Sequence, residues 1–205
     1  MTPAHHPSDD ILAAYAAGAL DPGFGLVVGA HIEMCAACRR RLSAFEAASG
    51  EALAALPAAA LAADAFAQTL SRLDAIQAPA PVIDRRPLIE RLPLAKKKWI
   101  APGVWVSAVM TPHAKDNRVY VLHVGPGKPT ARHTHAGAEF CTVLKGAYRD
   151  ELGLFQAGDF AAADDALEHQ PKVAGDEACV CLFATEGRLK AKGALGRLAF
   201  AYADV

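Results

Sequence analysis

The sequence lacks the features of several common classes of protein. Its 205 residues carry 21 basic and 22 acidic side chains, so no general excess of positive charge favours binding to nucleic acid or to an anionic membrane. No basic and then apolar stretch opens the chain, as a secretory signal would require. The five cysteines are an odd number, which argues against a framework of structural disulfides. We therefore expect a globular protein of the cytoplasm, with no membrane partner and no direct contact with nucleic acid.

Long apolar runs are also scarce. The longest candidate, residues 11–30, contains one charged residue, Asp21, and that residue begins an Asp-Pro-Gly sequence in the middle of the run. An aspartate at the centre of a bilayer costs about 2.5–3.5 kcal/mol, and Asp-Pro is typical of a helix cap followed by a first helical proline. This run predicts two short helices rather than a membrane span.

Two units are indicated by composition and charge. Residues 1–90 carry 6 basic and 10 acidic groups, whereas residues 91–205 carry 15 and 12. The first unit is rich in Ala and Leu, which favours helices. Helices are predicted from Ser8 or Asp9 to about Leu20, from Asp21 to about Ser49 with Gly50 ending it, over Glu51–Ala63 with a break near Pro57, and over Ala65–Gln77.

A proline-rich stretch follows, and short β segments come after it. Four prolines between residues 78 and 93 predict an extended linker. Strands are predicted at Val104–Met110, Val119–Val124, Phe140–Leu144, Gly158–Ala163 and Ala178–Ala184. The predicted fold is an all-α N-terminal domain (1–80), a linker (81–94) and an all-β barrel domain (95–195).

The first candidate metal site has the sequence His31-x3-Cys35-x2-Cys38. On one helix these positions share a face, and cysteine with histidine is the ligand set that Zn²⁺ prefers. A closed site needs a fourth ligand, for which His5 and His6 are both available and His6 is favoured. The alternative is that the cysteines are ordinary core residues. The motif resembles that of zinc-binding anti-sigma domains, which implies a helical domain that binds an extracytoplasmic-function sigma factor.

The second candidate site has the sequence Gly127-x5-His133-Thr-His135-x3-Glu139-x6-Gly146. Residues two apart on a strand point to the same side, so His133 and His135 can both face a barrel interior. Three nitrogen and oxygen ligands suit zinc or another divalent metal.

This spacing matches the first motif of the cupin family. The segment Gly158-x10-His169 resembles the second motif, with Asp164, Ala166 and Val173 in place of the usual Pro, Gly and Asn. The resemblance implies a cupin barrel with His169 as the fourth ligand.

The remaining candidates are weaker. His113 and His123 match no motif and are expected to be surface or packing residues. Cys141, Cys179 and Cys181 are expected to be small apolar core residues, with an oxidisable thiol role as the alternative.

In this order the two domains are similar to the ChrR-type anti-sigma factors of bacteria. The resemblance implies that the helical domain sequesters a group IV sigma factor, and that the metal-binding cupin releases it in response to an oxidative signal, singlet oxygen in the best-known members. The alternatives are an iron-dependent cupin enzyme of the dioxygenase kind with a helical dimerisation domain, or a metal-storage protein or generic scaffold. The sequence offers no dedicated acid or base beyond the candidate ligands, which disfavours the enzyme.

Overall fold

The computed structural model describes residues 2–75, 84 and 86–205, so the predicted end of the fourth helix at Gln77 and residues 81–83 and 85 of the predicted linker lie outside the described residues. Six helices are described: α1 (Asp9–Ala16), α2 (Pro22–Met34), α3 (Ala36–Ala54), α4 (Ala65–Ala75), α5 (Leu88–Arg91) and α6 (Ala194–Ala203). None of the helices described is long and apolar enough to cross a membrane.

The C-terminal unit is built from eleven strands. They are β1 (Lys98–Ala101), β2 (Val104–Ala108), β3 (Asn117–Val124), β4 (His133–Thr134), β5 (Glu139–Lys145), β6 (Ala147–Asp150), β7 (Gly153–Gln156), β8 (Phe160–Ala163), β9 (Lys172–Val173), β10 (Cys179–Glu186) and β11 (Lys190–Ala191). Six form one sheet in the order β1-β2-β3-β10-β5-β8, and the others form sheets β7-β6-β9 and β11-β4. The predicted fold class, helices followed by a cupin-like β domain, is confirmed.

The helical predictions were partly wrong. A single helix from Asp21 to Ser49 is not formed, because Cys35 is extended (φ −116°, ψ 105°) and separates α2 from α3. Gly50 does not end a helix, since α3 continues to Ala54, and no helix covers the rest of the stretch to residue 63. One glycine in an exposed helix costs about 1 kcal/mol, which the surrounding alanines and leucines tolerate.

Two further elements differ from the sequence-based expectation. The predicted linker contains the short helix α5, whose Arg91 pairs with Glu33 of α2 at 2.7 Å. Leu88, Ile89 and Leu92 also pack against the core of the helical unit, so apolar burial gives this stretch a defined path. The helix α6 was not predicted. The domain boundaries 1–80, 81–94 and 95–195 stay predictions.

The helical unit packs against the outer face of the six-stranded sheet. The rings of Phe24 and Phe140 meet edge to face with centroids 4.9 Å apart, and the Thr142 hydroxyl donates a hydrogen bond of 2.8 Å to the carbonyl of Val27. Gly23 allows this close approach, because a Cβ there would overlap the side chain of Val119. The two units therefore share one continuous apolar core.

Candidate metal centres

The N-terminal group consists of His6, His31, Cys35 and Cys38, whose ligand atoms all lie within 4.8 Å of one another. The extended Cys35 caps α3, and its sulfur accepts a hydrogen bond from the backbone N–H of Cys38 at 3.5 Å. The break in the helix therefore places Cys35 at the N-terminus of α3, beside Cys38 and His6. His31 reaches the same point from the last turn of α2.

The spacing within this group suits a tetrahedral ion. His6 Nδ1 lies 3.4 Å from Cys35 Sγ and 3.5 Å from both Cys38 Sγ and His31 Nε2. His31 Nε2 lies 3.2 Å from Cys38 Sγ. Bonds of about 2.0–2.3 Å to a tetrahedral zinc ion place ligand atoms at comparable separations. Two sulfur and two nitrogen donors therefore fit zinc in both number and kind.

Burial shifts the pKa values of His31 and Cys38 in the N-terminal group. It lowers the pKa of His31 to about 4, so the imidazole is neutral at pH 7 and available to a metal. It raises the pKa of Cys38 to about 11, so this thiol needs a neighbouring cation to become a thiolate. A bound metal ion supplies that positive charge.

The choice between the two adjacent histidines is made by the tertiary structure. His5 turns toward the β domain, where its Nε2 lies 3.1 Å from the carbonyl of Leu154 and its ring lies 4.3 Å from that of Phe155. His6 faces the cysteines. The arrangement favours His6, as the sequence-based prediction did.

The cupin group consists of His133, His135, Glu139 and His169, all buried, with ligand atoms within 4.8 Å of one another. His133 and His169 lie opposite each other and exchange two backbone hydrogen bonds of 3.1 Å. Glu139 begins β5 and points into the barrel. His169 therefore lies with the other three residues of the group, although the segment Gly158-x10-His169 matches the second cupin motif only in part.

The three histidine rings are oriented by their outer nitrogens. His133 Nδ1 lies 2.8 Å from the carbonyl of Ala131, and His135 Nδ1 lies 2.9 Å from that of Asp164. His169 Nδ1 lies 2.9 Å from a carboxylate oxygen of Asp150. Such partners fix the tautomer that leaves Nε2 free to bind a metal.

The inner atoms of the cupin group are crowded and incompletely paired. The Nε2 atoms of His133 and His169 lie 3.1 Å apart, and His135 Nε2 lies 3.3 Å from Glu139 Oε1. Among the residues described, His135 Nε2 and Glu139 Oε2 are buried without a hydrogen-bond partner. Unsatisfied buried polar atoms are costly, and a cation among them would satisfy these atoms. The donor set therefore fits a divalent metal.

The pKa values of two histidines of the cupin group shift in opposite directions. Burial lowers the pKa of His133, which favours the neutral ring. Burial alone would also lower the pKa of His135, but the Glu139 carboxylate outweighs it and raises that pKa. A bound metal ion would take the place of the proton that the Glu139 carboxylate favours on His135.

A largely apolar cavity of about 200 Å³ adjoins the cupin group inside the barrel. Cys141, Cys179 and Cys181 line it, and the sulfurs of the last two lie 3.5 Å apart. The side chain of Phe200 from α6 closes one side and packs against His133, with ring centroids 5.6 Å apart. All three cysteines are buried, as expected of small core residues.

Two histidines lie apart from both groups, as the sequence indicated. His113 contacts the carbonyl of Thr111, and His123 stacks on Trp105 at 5.1 Å. Sequence reasoning missed two buried acids, Asp150 beside His169 and Asp159 beside the N-terminal segment. Neither belongs to a motif with fixed spacing, so only the folded chain reveals them.

Comparison with known proteins places these features in a family. Residues 92–189 match the model of the ChrR cupin-like domain. The chain is 36% identical over 206 residues to the anti-sigma-E factor ChrR of Cereibacter sphaeroides, covering 97% of each protein.

One solved structure agrees with this result. The crystal structure of Rhodobacter sphaeroides SigE in complex with the anti-sigma ChrR matches with a TM-score of 0.77 and 36% identity, covering 90% of this chain and 99% of that one. An RmlC-like cupin protein from Ralstonia eutropha is more distant, with 17% identity, a TM-score of 0.42 and coverage of 57% of this chain and 73% of that one. The similarity to the Cereibacter sphaeroides protein extends over 97% of the chain and therefore spans both the helical and the β unit. The chain therefore belongs to the ChrR family of anti-sigma factors, which are regulators and not enzymes.

Proposed function

We propose that both side-chain groups hold a divalent metal ion. The N-terminal group, with two cysteines and two histidines at mutual distances of 3.2–3.5 Å, suits a structural zinc ion. The cupin group, with three histidines and one glutamate, suits zinc or another divalent metal. The ligands are His6, His31, Cys35 and Cys38 in the first group, and His133, His135, Glu139 and His169 in the second.

We propose further that the helical unit sequesters a group IV extracytoplasmic-function sigma factor in the cytoplasm. The observation that carries this proposal is the match over nearly the whole chain to a ChrR protein whose crystal structure is a complex with SigE. The chain would then affect transcription through a protein partner, without contacting nucleic acid.

The helix α4 is the surface best suited to such a partner. Phe66, Leu70 and Leu73 lie four and three residues apart, which places them on one face. They are 76%, 45% and 60% exposed. An amphipathic helix with an exposed apolar face is a common recognition element for a groove in a partner protein.

The cupin unit is proposed to receive an oxidative signal, singlet oxygen, and to promote release of the sigma factor. Support comes from the chemistry of the site, because imidazole groups react with electrophilic oxygen species and three of them, those of His133, His135 and His169, lie together in the buried cupin group. The shared core between the two units gives a physical route from the cupin to the helical unit. In this proposal the cupin centre senses and the N-terminal zinc is structural.

Co-expression with group IV sigma factors tests the proposal. We expect one of them to co-elute with the chain in gel filtration as a stable complex, with two metal ions per chain by elemental analysis. We also expect singlet oxygen, generated by a photosensitiser, to dissociate that complex. A chain that binds none of these sigma factors would refute the proposed partner. Iron in the cupin site together with turnover of a small substrate would favour the enzyme alternative instead.

A further inference from the structure

One short segment lies between the two candidate metal centres and contacts a histidine of each. At its start, the carbonyl of Gly158 accepts a hydrogen bond of 2.6 Å from Nδ1 of His31. At its end, the carbonyl of Asp164 accepts one of 2.9 Å from Nδ1 of His135. In both rings the outer nitrogen makes this bond, so each carbonyl sets the orientation of the nitrogen that faces the ion. The segment Gly158–Asp164 therefore supports one candidate ligand of each centre.

The same segment also holds the second histidine of the N-terminal group through the chain that precedes it. Asp159 is 2% exposed, and one of its carboxylate oxygens accepts hydrogen bonds from the backbone N–H groups of Ala4 at 2.6 Å and His5 at 3.0 Å. The N–H of Phe160 donates to the carbonyl of His5 at 3.1 Å. His6 follows directly, so its position depends on Asp159. Both histidines of the N-terminal centre are thus positioned from the β domain.

Strand pairing makes this segment stiff. Its strand β8 pairs with β5, with Ala163 opposite Glu139 and Phe160 opposite Thr142. Glu139 is itself a candidate ligand of the cupin centre. Gly158 and Asp159 continue this pairing, because the N–H of Gly158 donates to the carbonyl of Val143 at 2.8 Å and the N–H of Val143 donates to the carbonyl of Asp159 at 3.0 Å. A paired segment within a close-packed core moves as a unit instead of absorbing a displacement locally.

We propose that Gly158–Asp164 couples the two metal centres, with Asp159 as the positioning residue that fixes the N-terminal segment to it. A change of ligand geometry at His135 shifts the carbonyl of Asp164, and the strand carries that shift to the groups that hold His31 and His6. The N-terminal ion is then held less tightly. This inference rests on the proposed metal binding at both centres, and it supplies a route for the proposed release. Because coupling is reciprocal, loosening the N-terminal segment also weakens the cupin centre.

The test is a double-mutant cycle on the full chain loaded with zinc, with no sigma factor present. The release of N-terminal zinc to a colorimetric chelator is measured in the wild type, in His135→Ala, in Asp159→Asn and in the double variant. We expect His135→Ala to accelerate that release by about tenfold, within the range typical of coupled sites. In the Asp159→Asn background, we expect His135→Ala to add little.

Thr142→Val is the matched control background. It removes another buried hydrogen bond between the two units, from the Thr142 hydroxyl to the carbonyl of Val27, and it changes only a side chain of β5, so the backbone pairing of β5 with β8 is kept. The effect of His135→Ala should persist in this background. Two results would overturn the coupling. In the first, His135→Ala accelerates zinc release equally in the Asp159→Asn and Thr142→Val backgrounds. In the second, His135→Ala does not accelerate zinc release in the wild-type background.

Hydrogen exchange gives a second readout that does not depend on the folding of Asp159→Asn. In His135→Ala, the amides of Ala4, His5 and Phe160 should exchange faster than in the wild type, while the amide of Tyr148 in the opposite sheet changes less. Unchanged exchange at all three amides would refute the proposal. Sigma binding is scored separately by gel filtration, so a failed coupling and a wrong partner give different results.

Discussion

Nδ1 of His31, in the helical unit, lies 2.6 Å from the carbonyl oxygen of Gly158, in the β domain. The bond joins residues 127 positions apart in the sequence and is buried. It orients the imidazole so that Nε2 faces His6 and Cys38. The N-terminal centre is therefore completed by the β domain as well as by its own helices, and the two units act on one another through its ligands.

Removing one cysteine of the N-terminal group should cost one metal ion. We expect Cys38→Ala to lower the zinc content from two ions per chain to one, since a structural site needs all four ligands. Its thermal midpoint should also fall, because metal binding contributes directly to folding free energy. Elemental analysis and differential scanning calorimetry measure both effects. The control is Cys141→Ala, which removes a buried thiol that belongs to neither group and should keep two ions. Two ions in Cys38→Ala would contradict the ligand assignment.

Removing a cupin ligand should separate sensing from binding. We expect His169→Ala to lose the cupin metal and the release response to singlet oxygen, while sigma binding stays within a few-fold of the wild type. Titration of the sigma factor before and after photosensitisation measures both. His123→Ala is the control, because His123 stacks on Trp105 away from the centre. If His169→Ala abolishes sigma binding altogether, the proposed division between a sensing centre and a structural centre is wrong.

The exposed face of α4 should carry much of the sigma affinity. We expect Leu70→Glu to weaken binding by about 30-fold or more, since truncating an interface hot spot costs about 2 kcal/mol or more and a charge adds desolvation. Leu195→Glu on α6 places the same charge at a more exposed leucine of the other unit and should leave the dissociation constant unchanged. Isothermal titration calorimetry gives both constants. Equal affinities for the two variants would exclude α4 from the interface.

Substitution of two phenylalanines of the helical unit should affect different properties, stability for Phe24 and sigma binding for Phe66. Phe24 is buried against Phe140, so we expect Phe24→Ala to lower the free energy of unfolding by about 3–5 kcal/mol. Phe66 is 76% exposed, so Phe66→Ala should change that free energy by less than about 0.5 kcal/mol while weakening sigma binding. Guanidinium denaturation followed by circular dichroism measures the stabilities. A small effect of Phe24→Ala would indicate that the two units do not share a core.

The cysteines of the cupin interior should be unreactive in the folded protein. Burial raises the pKa of Cys141, and the hydrogen bond to Cys141 together with burial raises that of Cys181, so little thiolate exists at pH 8. We expect fewer than one thiol per chain to react with Ellman's reagent in the metal-loaded protein, and all five in guanidinium with a chelator. Rapid reaction of two or three thiols in the native protein would instead favour the oxidisable thiol role.

Much of the architecture could be predicted because it depends on local pattern. The five predicted strands all form, and four of them contain β-branched residues, which favour strands. The exception is β8, which has the sequence Phe-Ala-Ala-Ala and pairs with β5. The spacing of His133 and His135 places both on one side, because alternate residues of extended chain share a side, and Glu139 joins them from the start of β5. The Asp21-Pro22 start of α2 also follows from sequence, with the Asp21 side chain accepting a hydrogen bond from the N–H of Gly23.

Other features were decided only by tertiary contacts. Helical periodicity predicts an unbroken helix through Cys35. In the structure the helix is broken there, and the sulfur of Cys35 caps α3 beside His6 and His31. The clustering of the four candidate ligands outweighs local helix propensity at this residue. The sequence by itself determined which side chains are available to bind metal. The tertiary structure determined that Gly158 and Asp159 hold His31 and the residues before His6, because hydrogen bonds between residues more than a hundred positions apart exist only once the two units have packed together.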